Sequence, residues 1–122
     1  MEVDLFCNFV ILSIGEKMKL RYNDKYIELY ECKTFFNRLR GFMFTKTIDK
    51  ALLFENCNSI HTFFMFNSID VILCDNDNKI LYYYKDFKRN RIILPKRNVV
   101  KVYETPASYF DIKVNEYVEV IK

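Results

Sequence analysis

The sequence predicts a mainly β fold, α+β by content: a compact antiparallel β-sandwich or barrel with one short helix near residues 34–44. Three observations carry this. Short runs of β-branched and aromatic residues recur at regular spacing, broken by polar turns. Two of those turns, Asn23-Asp24 and Asp75-Asn76-Asp77-Asn78, are Asn/Asp clusters between alternating apolar residues, the composition of a hairpin. One stretch alone carries a helical stripe: Phe35, Leu39, Phe42 and Met43 follow Thr34 at helical spacing, with Thr34 as N-cap.

The elements follow in order. Residues 1–18 are expected as an N-terminal extension, possibly a strand in its own right, and residues 19–122 as a single β domain. The apolar run 5–14 is interrupted by Asn8 and preceded by Glu2 and Asp4. A secretory signal wants basic residues there and a cleavage site after, so the chain is expected to be cytoplasmic. No apolar run reaches the ~18–20 residues of a membrane helix. Residues 19–32 alternate around Asn23-Asp24 and form the first hairpin. The helix comes next, and Gly41 falls in its last turn, where the chain must bend or be closely approached. Residues 51–55 form a short strand. Residues 59–66 are apolar on both faces, which predicts a central strand. Residues 69–74 and 79–84 form the second hairpin, 99–103 a further strand, 105–108 a turn, and 117–121 the closing strand.

Composition bounds the function. With 122 residues, 51% of them hydrophobic and 17% aromatic, the chain makes one globular domain with a real core. Two Gly and two Pro leave the turns to Asn and Asp. A net charge of +3 is too mild to imply a nucleic-acid partner. The four cysteines, Cys7, Cys32, Cys57 and Cys74, contain no Cys-x-x-Cys pair, so they read as buried free thiols and not as a zinc or redox motif. Gly15 and Gly41 are the only glycines, which excludes a Gly-rich phosphate loop.

His61 is the only histidine. On a strand it shares a face with Ser59, Phe63 and Met65, and Asp70 or Asp75 on the next strand could fix its tautomer. The plain alternative is a hydrogen-bonded core histidine. Cys57 could join His61 on one face, but one His without a Cys-x-x-Cys is a weak metal signal, and no metal or cofactor is expected. The run 85–97 gathers Lys85, Lys88, Arg89, Arg91, Lys96 and Arg97 beside Tyr82, Tyr83, Tyr84 and Phe87. Basic charge with aromatics can bind single strands, yet a solvated loop explains it as well. Arg38 and Arg40 flank Gly41 and could hold a carboxylate.

Two stretches together resemble a known family. "NRLRGFMF" (37–44) is similar to the Arg-x-x-Gly-Leu-Met signature of a bacterial and archaeal family, domain of unknown function 192 (DUF192). "SIHTFFMFNSIDVILCDNDNKI" (59–80) resembles its second signature, and "VYETPASYFDIKVNEYVEV" (102–120) its closing elements. The resemblance spans about residues 19–122. It implies a compact antiparallel β structure with one helix after the first hairpin, and it supplies no activity. It draws attention to Arg38, Gly41, Met43, His61, Met65, Asp70, Asp75 and Glu104. Phe42 replaces the usual Leu. Phe66 stands where a basic residue is common, so any ligand contact made there is missing here.

The reading that results is a small non-catalytic domain that binds an unknown small ligand or protein partner. An enzyme with a site around Arg38, His61 and Asp70 is the first alternative. Nucleic-acid binding through 85–97 is the second and the less favoured.

Overall fold

The computed structural model describes residues 17–122, and for residues 35–37 the backbone alone. The extension expected at residues 1–18 therefore lies outside the described residues, apart from its last two. In chain order the elements are β1 (Met18–Tyr22), β2 (Lys25–Glu31), α1 (Phe35–Arg40), β3 (Ala51–Glu55), β4 (Ile60–His61), β5 (Ile69–Cys74), β6 (Ile80–Phe87), β7 (Ile92–Ile93), β8 (Lys101–Pro106) and β9 (Glu119–Ile121). Seven strands form one sheet in the order β6-β5-β8-β3-β2-β1-β9, and β4 pairs with β7 in a separate two-stranded sheet. The described residues are mainly β with one short helix, as the sequence predicts.

The sheet is mixed. β2 and β3 run parallel, while the other neighbours are antiparallel. A parallel pair needs a crossover of a dozen or more residues. Here residues 32–50 provide it, and α1 lies within it. The sheet also curls into a half-barrel. Ile80 N donates to Glu116 O at 2.8 Å, Asn115 N to Ile80 O at 2.8 Å and Val118 N to Asn78 O at 3.1 Å. These bonds tie the start of β6 at one edge to the segment entering β9 at the other.

Alternation along the central strands splits the interior in two. Ala51, Leu53, Ile72, Cys74 and Tyr103 pack on one face with Leu20, Leu29 and Phe110. Leu52, Phe54, Val71, Leu73 and Val102 pack on the other with Phe42, Met65 and Ile93. The second core lies on the side that carries α1 and the β4–β7 pair.

Asparagine does the work of the missing glycines. Asn23, Asn56, Asn78, Asn90, Asn98 and Asn115 all adopt positive φ, which Asn tolerates better than most residues.

Two expected elements are corrected. The helix stops at Arg40, because Gly41 turns left-handed at φ 50° and Met43 N and Thr45 N close tight turns onto Arg40 O and Phe42 O at 2.8 and 3.1 Å. The apolar stripe breaks with it: Leu39 is 53% exposed, and Phe42 reaches the core from the turn. The strand expected at 59–66 shrinks to Ile60–His61 on the small sheet, and it is not central. The chain reverses at once: Met65 N returns to Thr62 O, and Phe64 turns left-handed at φ 62°. Three of the phenylalanines that suggested burial, Phe63, Phe64 and Phe66, are exposed.

Gly41 gives a direct test of this geometry. A Cβ added there would meet Glu104 Oε1 at 3.3 Å and Phe54 Cζ at 3.4 Å, on a backbone that L side chains rarely adopt. Gly41→Ala is expected to lose about 1–3 kcal/mol of stability, read from the urea midpoint. A neutral effect would mean that the backbone relaxes out of the left-handed region.

Candidate functional site

Between α1, β3, β4 and β8 lies a cavity of about 260 Å3. The helix supplies Arg38, Leu39 and Arg40, and the turn after it Gly41 and Phe42. β3 supplies Phe54, β8 supplies Glu104, and Cys57, Ser59, Ile60, His61 and Met65 complete the wall. Strand parity explains Glu104: it shares a face with Val102, so it points to the side where α1 crosses.

Arg38 is anchored to the end of β3, its Nη1 donating to Glu55 O at 2.7 Å and its Nη2 to Asn56 O at 3.5 Å. Arg40 is 5% exposed and Glu104 4%, so both ionisable side chains are buried in the wall. Burial pushes the Glu104 carboxyl up to about 8, which keeps it largely protonated at neutral pH. His61 is half-buried and stacks on Phe63 at 5.3 Å. Its Nδ1 accepts from Phe63 N at 3.2 Å. A neutral ring then carries its proton on Nε2, as a donor. Phe42, Phe54 and Met65 are buried and make the apolar part of the wall.

Of the residues singled out in the sequence, Arg38, Gly41, His61, Met65 and Glu104 meet here. Asp70 and Asp75 do not, which corrects the expected pairing with His61. Asp70 shares a parity with Ile72 and Cys74, so it faces the opposite core. It is fully buried and accepts from Tyr83 Oη at 2.6 Å, Asp86 N at 2.8 Å and Ser108 N at 3.0 Å. Asp86 is the left-handed residue of an irregularity in the β5–β6 ladder, so Asp70 replaces a ladder bond that the bulge removes. Burial first, and then Asp70, push the Tyr83 phenol up. Asp75 caps its own turn, accepting from Asp77 N at 2.9 Å and Lys79 N at 3.0 Å. Met43 does not line the cavity.

Cys57 lines the cavity with His61, but its thiol donates to Ser59 O at 3.1 Å. Cys74 is fully buried, and burial pushes its thiol up to about 12, far from the thiolate a nucleophile needs. No group of three or more metal-ligating side chains converges among the described residues. The basic run is spread over β6 and the loops on either side of β7. Lys85 lies within β6, Lys88 bonds Asp86 at 2.6 Å, and Lys96 sits 5.4 Å above the Tyr82 ring. Arg89, Arg91 and Arg97 are exposed. The sequence left Phe54 and Ile60 unassigned. They are apolar residues whose role is their position, and no sequence signal marks it.

The fold and its cavity define a small, mostly β domain with a hollow beside helix α1. The DUF192 family model (Uncharacterized ACR) matches residues 18–120, and the chain belongs to this family, whose function is unknown. Among curated proteins, it is 39% identical over 87 residues to a UPF0127 protein of Thermococcus sibiricus, covering 64% of this chain and 54% of that one. It is 37% identical over 79 residues to a UPF0127 protein of Thermococcus kodakarensis, covering 60% and 50%. The chain thus spans about half the length of the curated relatives it matches. Two solved structures share the fold. One, a protein of unknown function from Novosphingobium aromaticivorans, superposes with a TM-score of 0.68 at 13% identity over 84% of this chain and 83% of that one. The other, from Sinorhizobium meliloti and provisionally described as a transcription regulator, has a TM-score of 0.71 at 15% identity over 86% and 92%.

Proposed function

We propose that the domain is a non-catalytic binding module whose cavity takes a small anionic ligand of the carboxylate class. One observation carries this reading: Arg38, Arg40 and His61 line a single cavity whose apolar wall includes Phe42, Phe54 and Met65. Two guanidiniums and an imidazole donor suit a carboxylate, and arginine binds it in a bidentate fork. Glu104 does not oppose such an anion, because burial keeps it protonated near neutrality. The volume lies just below the ~300–1,000 Å3 of drug-sized sites, which points to a small metabolite. The apolar wall would hold the ligand's hydrocarbon part. A reducing, cytoplasmic setting belongs to this reading and is supported by the free thiols of Cys32, Cys57 and Cys74.

A thermal-shift screen of small mono- and dicarboxylates tests it. A true ligand at a hundredfold excess over its Kd stabilises the fold by about 2.7 kcal/mol. Arg38→Lys keeps the charge and loses both the planar guanidinium and its anchor on Glu55 O and Asn56 O, so affinity is expected to fall about tenfold or more. If no carboxylate raises the melting temperature, or if Arg38→Lys binds as well as the natural chain, the reading fails. Turnover of any hit would favour an enzyme instead.

A further inference from the structure

On the side of the small sheet several large apolar side chains of the described residues are exposed. Six of the eleven large hydrophobic side chains exposed among the described residues come from three neighbouring segments: Phe44, the turn residues Phe63, Phe64 and Phe66, and Ile92 with Leu94. Hydrogen bonds tie these segments together. Phe44 N donates to Phe64 O at 3.0 Å, and the two rings stack at 5.7 Å. Thr62 Oγ1 donates to Lys88 O at 2.7 Å and accepts from Arg91 N at 2.9 Å, while His61 pairs with Ile92 across β4–β7. Phe44 and Phe64 hold φ of 63° and 62°, a region bulky side chains rarely occupy. The backbone is thus strained at the two residues that place paired aromatic rings in the open.

The rim is basic. Asn67 bonds Lys46 O at 2.7 Å beside Phe66, and a shallow groove joins Phe66 to Lys88 and Arg89. The nearby acid, Asp86, is occupied by Lys88 and Ser68. Among the described residues no ion pair forms at Lys46, Arg89 or Arg91.

We propose that this face docks on an anionic lipid bilayer, with the phenylalanines, Ile92 and Leu94 entering the interface and Lys46, Arg89 and Arg91 meeting the headgroups. Charge complementarity selects an anionic partner. The side chains select a bilayer among anionic partners. Leu94 is 69% exposed and Phe64 62%, so they stand clear of the protein as wedges, a form suited to entering a bilayer interface. Ile92 and Leu94 cannot stack on bases, and Phe44 and Phe64 already spend one face on each other. A second copy of the chain would bring two like-charged rims together. Large exposed apolar patches mark such interaction sites. This proposal stands independently of the cavity ligand.

Vesicle cosedimentation of the full chain tests it, with phosphatidylcholine vesicles containing phosphatidylserine against phosphatidylcholine alone. Binding is expected to the anionic vesicles, weaker to the neutral ones, and released by salt. The double variants Phe64→Ser with Leu94→Ser, and Arg89→Glu with Arg91→Glu, should each lower the affinity at least about tenfold while unfolding like the natural chain. No cosedimentation overturns the proposal. So does binding that both double variants retain, which would assign it to another segment. Two further results overturn it: single-stranded oligonucleotide binding, or a dimer in gel filtration, that Phe64→Ser with Leu94→Ser abolishes.

Discussion

Asp70→Ala is expected to cost about 2–4 kcal/mol of stability, because it removes a fully buried carboxylate that accepts from three part-buried donors. The Tyr83 hydroxyl, the Asp86 amide and the Ser108 amide all end on this one carboxylate. They belong to β6, to its bulge and to the turn after β8. One side chain therefore ties three segments together, alongside the weaker bond from Tyr83 Oη to Phe110 O at 3.3 Å. The loss should appear as a drop of more than about 10 °C in the melting temperature and as faster amide exchange at Asp86 and Ser108. Asp70→Asn keeps an acceptor and should lose roughly half as much. A loss under about 1 kcal/mol for the alanine variant would show that water replaces the carboxylate, and the structural role given to Asp70 would fall.

Glu104→Gln is expected to flatten the dependence of stability on pH. In the unfolded chain this carboxyl titrates at its ordinary value near 4.5, and burial in the folded state raises it to about 8. Between these values the folded chain holds a proton that the unfolded chain has released. Linkage then gives a sign: stability is fully present below about 4.5 and falls as pH rises through about 8. The ceiling is on the order of 4–5 kcal/mol at 1.36 kcal/mol per pH unit. Urea unfolding at pH 5 and pH 8.5 should show the natural chain losing a few kcal/mol that Glu104→Gln keeps. Parallel curves would mean that Glu104 is ionised in the folded state and compensated by the neighbouring arginines. The carboxylate reading of the cavity would then need a different account of its charge.

Much of the fold was legible in local pattern. The hairpins around Asn23-Asp24 and Asp75–Asn78 form as alternation and turn chemistry require. The strand at 51–55 was readable with its bounds, as was the need for an unusual backbone at Gly41. The site was legible in part. Arg38, His61, Met65 and Glu104 reach one cavity, but they were marked by a resemblance and not by any spacing that implies contact. Asp70 was grouped with His61 because both are polar and near in sequence. Period-two alternation sends it to the other face of β5, where it completes a bulge.

The sequence by itself determined the class of the domain, the turns that asparagine makes possible, and the charged and aromatic residues available to a site. The tertiary structure decided which of them meet. A run such as 59–66 is apolar whether it is buried or bound to something else, and local pattern holds no information on what stands opposite. Only the parallel crossover from β2 to β3 lays α1 over Phe54 and Glu104. Only the hydrogen bonds of Thr62 turn its phenylalanines outward beside a basic loop. Both depend on contacts between residues far apart in the chain, whose closure is set by the whole fold and not by any one segment.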